Sequence, residues 1–194
     1  VDTFAVVLTF LLLTTTMRQP EPATVDTPFS ISETPIPDFN AMTFLLSPDG
    51  KVFMNFDNGP DTLLKFRPKI LVEMGKRYGI EFNEAEQREF EKYPSSIGVP
   101  IMQMKEFLNT REGSARSYMQ TGIPMDSADN QLAMWIQYAR TVNPNFQACI
   151  KGDSYTEFPA LKRVLEILQE LNVKRFSLIT NLEAAKINLE EIQQ

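Results

Sequence analysis

The 194 residues, 43% of them hydrophobic, hold enough apolar material for one ordinary globular core with an appendage. A formal charge of −6 excludes a nucleic-acid partner, because phosphate binding needs clustered Lys and Arg. With no histidine the chain builds neither a Ser-His-Asp triad nor a Cys-His pair nor the commonest zinc sites, and its single Cys149 closes no internal disulfide, so no enzyme, cofactor or metal centre is expected.

The chain opens with "VDTFAVVLTFLLLTTTM", in which 15 uncharged residues run from Thr3 to Met17 behind one acid, Asp2. That length falls short of the roughly 20 residues of a bilayer-spanning helix. The run begins at Val1 rather than Met, and no basic stretch precedes it, so it is expected to be a single membrane span or signal-anchor over 1–17, cut short at its start. Two readings of Asp2 stay open on the residues alone. One is a helix N-cap at an interface. The other is an ionisable group placed in a membrane for function, since insertion of such a group costs about 2.5–3.5 kcal/mol.

Residues 18–40 hold Pro20, Pro22, Pro28, Pro35 and Pro37, and read as an extended linker. Within it "TPFSISE" is able to pair as an edge strand, which makes Phe29, Ser30 and Ile31 candidate partner-binding residues. From Ala41 two β-rich runs, near 42–47 and 51–56, flank Pro48-Asp49-Gly50, a hairpin turn signal.

After Asn58 the pattern turns helical. Leu63, Leu64, Phe66, Ile70, Leu71 and Met74 recur at helical spacing, with Pro68 expected to start or kink the helix. "NEAEQREFEKY" and "VPIMQMKEFLN" read as two more short helices. Over 59–126 acids and bases balance at ten each, and "GKRYG" lacks the spacing of a phosphate-binding loop.

Leu132, Trp135, Ile136 and Ala139 define a further helix, with Ser127 or Asp129 as its N-cap. "FQACIKGD" alternates Phe146, Ala148 and Ile150 on one face of a half-buried strand, with Cys149 read as a buried thiol rather than a nucleophile. Phe158, Leu161, Val164, Leu165, Leu168 and Leu171 form one stripe of a helix that Thr156 is placed to cap. "KRFSLIT" is the last strand, and residues 183–194 read as a helical tail. Strands and helices in this order predict an α+β fold, one sheet covered by helices. Asp153 at a strand end reads as a turn former ahead of a catalytic acid.

The stretch "NPNFQACIKGDSYTEFPALKRVLEILQELNVKRFSLIT" resembles the C-terminal half of the periplasmic domain of the ExbD/TolR family. Lys151, Asp153, Tyr155, Val164, Leu168, Lys174, Leu178 and Thr180 stand at matching places. Val1 and Asp2, with Thr14, Thr15 and Thr16, resemble the same family's membrane span. Asn172 departs from the Gly common near that helix end, and 59–126 reads as an insertion within a periplasmic domain over 41–182.

The resemblance implies a subunit of an ExbD-like motor in the inner membrane of a Gram-negative bacterium, with its C-terminal domain in the periplasm. Asp2 would be the proton carrier inside a polytopic ring of the ExbB/TolQ type, energising a TonB-like periplasmic client, and the chain would be a homodimer. Leu178 matches a leucine associated with coupling, although burial in the core is expected to be the main cause of any effect there. A TolR-like role in envelope maintenance and a passive membrane-anchored adaptor are the alternatives. The insertion is expected to be a helical lobe whose removal leaves a folded core, because both halves of the sheet lie outside it.

Overall fold

The computed structural model describes residues 40–59, 64–152, 158–173 and 176–180. The expectations for the opening run, the linker, Asp153, Thr156 and the tail fall outside the described residues. Among the described residues no helix is long and apolar enough to cross a membrane.

The fold is α+β, as the order of elements predicts. Strands β1 (Ala41–Leu46) and β2 (Val52–Phe56) form the expected hairpin. Gly50 takes φ 77° in the turn, a conformation open to a residue without Cβ, and its N–H donates to the Ser47 carbonyl at 3.0 Å. Strands β3 (Gln147–Gly152) and β4 (Phe176–Thr180) complete one sheet of order β2-β1-β3-β4. The hairpin is antiparallel, whereas β1 runs parallel to β3, with Ala41 opposite Gln147, and β3 runs parallel to β4.

Helix α1 (Phe66–Tyr78) carries Pro68 in its first turn, where the missing N–H has no intrahelical partner to lose. Pro68 thus sits at the start of the helix, as one of its two expected roles requires. Asn58 Oδ1 accepts from the Arg67 N–H at 3.2 Å and satisfies one of the orphaned donors there. Helix α2 (Glu84–Lys92) starts on a capping box: Asn83 accepts from the Glu86 N–H and the Glu86 side chain accepts from the Asn83 N–H, each at 2.9 Å. A 3₁₀ turn (Ile101–Gln103) leads into α3 (Met104–Asn109), and α4 (Gly113–Met119) follows, a helix the apolar spacing did not signal because none of its residues is buried.

Helix α5 (Gln131–Val142) is capped by Asn130, whose Oδ1 accepts from the Ala133 N–H at 3.0 Å. This corrects the expected caps, Ser127 and Asp129. Asp129 accepts instead from the Tyr78 hydroxyl at 2.5 Å and the Gln131 amide at 2.7 Å. Helix α6 (Phe158–Glu170) buries Val164, Ile167 and Leu168, with Leu161, Leu165 and Leu171 packed partly buried beside them.

The core is continuous. Met42, Phe44 and Leu46 of β1, Ala148 and Ile150 of β3, and the inner faces of α1, α5 and α6 belong to the same cluster as Phe82, Phe90, Ile101, Phe107 and Ile123. Trp135 of α5 is fully buried, stacked on Phe90 of α2 at 6.0 Å and 13° and tilted against Phe56 of β2 at 6.1 Å. The 59–126 segment, expected as a separable lobe, shares this core in the intact chain. All four described strands do lie outside 59–126, but that segment supplies part of the helical layer over the sheet, and its removal strips Trp135 of Phe90. Sheet pairing alone leaves an apolar face that some layer must cover.

The opposite face also departs from the half-buried pattern. Leu45, Phe53 and Cys149 are buried there, so both faces of the sheet are closed at its centre. Burial pushes the Cys149 thiol up, which matches the expected unreactive thiol.

Candidate functional site

Among the sequence-derived candidates, Asp2, Phe29, Ser30 and Ile31 lie outside the described residues, and Leu178 lies within them. It stands on β4, and what positions it begins at the end of α6. The Asn172 N–H donates to the Gln169 carbonyl at 2.9 Å and the Val173 N–H to the Leu168 carbonyl at 2.8 Å, the paired bonds of a Schellman cap. Such a cap needs one left-handed residue, and Asn172 takes it at φ 54°. Asn is, after Gly, the residue that tolerates this conformation best. Leu168 and Val173, both buried, provide the apolar contact that accompanies the cap and turns the chain toward β4.

β4 is the last strand of the described sheet. Its register sets Phe176 beside Ala148 and Leu178 beside Ile150. Both inner partners are fully buried, yet Phe176 is 43% and Leu178 42% exposed. The strand itself is as the sequence predicts; its place at the rim of the helical layer is set by the tertiary structure. The reading of Leu178 as a core residue is therefore corrected, and Phe176 joins it as an exposed neighbour two residues away on the same face.

The two sheet edges differ. β2 is closed on its outer side: Ile97 and Met54 exchange backbone hydrogen bonds at 2.7 and 2.8 Å, and the Ile123 N–H donates to the Val52 carbonyl at 2.9 Å. The closure depends on Gly98, because a Cβ there would drive into Cδ1 of Phe53. β4 pairs with β3 alone among the described strands. A row of backbone donors and acceptors flanked by two exposed apolar side chains is suited to taking a further strand, and supplies no acid, base or nucleophile. The described residues contain no group of three or more His, Cys, Asp or Glu arranged to hold a metal ion.

No curated protein and no solved structure matches the chain. The family model for the biopolymer transport protein ExbD/TolR matches residues 1–183, from the acid-bearing opening run through β4. The Asn172 cap, the parallel β3-α6-β4 unit and the strand carrying Leu178 are thus features of a matched region that covers nearly the whole sequence, and the chain belongs to the ExbD/TolR family.

Proposed function

We propose that this chain is the proton-motive-force-driven, ExbD-like energy-transducing subunit of a biopolymer transport complex. It is anchored by a single span at 1–17 in the inner membrane of a Gram-negative bacterium, with residues 41–182 in the periplasm. It works as a homodimer with an ExbB/TolQ-type polytopic ring and energises a TonB-type periplasmic client. The observation that carries this reading is that the family match begins at residue 1 and so includes Asp2, the acid that precedes an uncharged run of 15 residues.

The physical support is specific to a carboxylate. Desolvation raises a carboxyl pKa toward neutrality, so one side chain is able to hold a proton in a dry ring interior and release it to water on either side. The exposed rim of β4 supports the partner half of the proposal, because a sheet edge with apolar flanks, unpaired among the described strands, is suited to accepting a strand from a second copy or a client.

Asp2→Asn is the test. It keeps shape and polarity, so membrane insertion and ring assembly persist, and it removes the titratable proton, so uptake of a client-dependent nutrient falls to the level of a deletion strain. Asn caps helices about as well as Asp. Normal uptake with Asn at position 2, at matched expression, ends the proton-carrier reading and leaves the passive adaptor. Lost envelope integrity with intact nutrient uptake in a deletion strain assigns the TolR-like role instead.

A further inference from the structure

Asn40 is the last residue of the proline-rich stretch 18–40 and directly precedes β1. It takes φ 60°, the left-handed region that Asn enters more readily than most residues with a Cβ. Its N–H donates to Asp57 Oδ2 at 2.8 Å, just past the end of β2, and its carbonyl accepts from the Gln147 N–H at 2.8 Å, at the start of β3. Its side-chain Oδ1 accepts from the Asn143 amide at 2.7 Å, across 103 residues of sequence.

Asn143 is itself held firmly. It is buried at the end of α5, where its N–H donates to the Ala139 carbonyl at 2.8 Å. Its Oδ1 accepts from the Asn145 N–H at 3.1 Å and its carbonyl from the Phe146 N–H at 3.2 Å. On the β2 side the Asp57 N–H donates to the Ala41 carbonyl at 2.9 Å, so bonding on that side continues to the first residue of β1. Residues at the ends of β2, β3 and α5 therefore converge on the one that enters β1. The first residues of a domain are poorly ordered unless tied down. Two of the ties at Asn40, from the side chains of Asp57 and Asn143, lie outside the backbone ladder of the sheet.

The topology gives this junction a mechanical meaning. β1 lies between β2 and β3, and β1, β3 and β4 run parallel, so the start of β1 and the end of β4 lie at opposite ends of the sheet. A pull entering at Asn40 and resisted beyond β4 acts along the strands, across hydrogen bonds that bridge them sideways. The bonds on both flanks of β1 then share the load. A pull entering at the hairpin turn, at the same end of the sheet as the end of β4, opens those bonds one after another and reaches Asn40 last.

We propose that Asn40, held by Asp57, Asn143 and Gln147, is the clamp through which tension in the 18–40 stretch enters the sheet as shear along β1. The source of that tension rests on the motor reading given above; the clamp itself is measurable with no proton gradient.

The test pulls the full chain in detergent at constant load between DNA handles, on Thr24→Cys with Gln194→Cys for shear, and on Pro48→Cys with Gln194→Cys for opening from the turn. Pro48 is exposed, and Cys149 is buried away from the label. The domain should survive at least tenfold longer in shear. Asn40→Gly keeps the left-handed φ and both backbone bonds and removes only the Oδ1 acceptor, so it should shorten the shear lifetime about tenfold and leave the other within about twofold. Asn143→Ala, which removes the donor, should do the same, and the double variant should be no worse than either alone, each in protein that still unfolds cooperatively. Asp2→Asn should leave every lifetime unchanged, which separates failure of the clamp from failure of the proton carrier. In cells where Asp2→Asn abolishes client-dependent uptake, Asn40→Gly at matched expression should lower it at least twofold with membrane insertion intact. Equal lifetimes in the two geometries, wild-type shear lifetimes in both clamp variants, equal shortening in both geometries, or unaltered uptake in those cells overturns the proposal.

Discussion

Phe90→Ala tests whether the 59–126 segment and the sheet share one core. Phe90 is 1% exposed, and its ring stacks on Trp135 and lies against the guanidinium of Arg67. Truncation removes a buried aromatic side chain from a wall that the fully buried Trp135 cannot readily collapse to fill, and such changes cost about 3–5 kcal/mol. With an m-value of about 1–3 kcal/mol per molar urea, the midpoint should fall by roughly 1–5 M. Trp135 is the only tryptophan, so its emission reports the sheet-side core directly, while far-ultraviolet circular dichroism reports all helices. Both signals should move together in Phe90→Ala, in one transition at lower urea. A Trp135 transition left at its wild-type midpoint, with part of the helical signal lost separately, would refute the shared core and restore the detachable lobe.

Asn172→Ala should cost about 1–2 kcal/mol, because Ala gains nothing to offset a left-handed φ, whereas Asn172→Gly should be neutral within about 0.5 kcal/mol; for a chain of this length the first lowers the thermal midpoint by roughly 2–8 °C, and equal midpoints for the two would discount the cap. Leu178→Lys, on a half-exposed rim position, should leave the unfolding midpoint within a few degrees of wild type while reducing cysteine-free chemical crosslinking between copies or to the client, and undiminished crosslinking would move the partner surface off β4. Tyr78 has its pKa pushed up to about 12 by burial and by its hydrogen bond to Asp129. The protonated phenol is the form the fold favours, so any stability it lends is complete below its ordinary pKa near 10 and is lost as pH rises through about 12. In an alkaline titration of phenolate absorbance Tyr78→Phe should remove a step near pH 12; a titration unchanged there by the substitution would remove the Asp129 contact from the account.

Local chemistry wrote much of this protein openly. The Asp49-Gly50 turn and the α6 stripe depend on residues within a few positions of one another, so spacing alone revealed them. The family resemblance was legible for the same reason, being carried by short motifs at the two ends of the chain. Tertiary structure decided what depends on distant neighbours. β1 lies beside β3 across some hundred intervening residues, a pairing no local pattern encodes. Asn130 rather than Asp129 caps α5 because Tyr78, fifty-one residues away, engages the aspartate. Leu178 and Ile150 look alike as strand residues, yet one is half exposed and the other fully buried, since exposure is set by where the helical layer ends. Arg67 reads in sequence as one base among ten in a charge-balanced segment. Only the packing of α1 on α2 buries it and sets its Nη1 on the carbonyls of Glu91 and Tyr93, because burial is a property of the assembled chain.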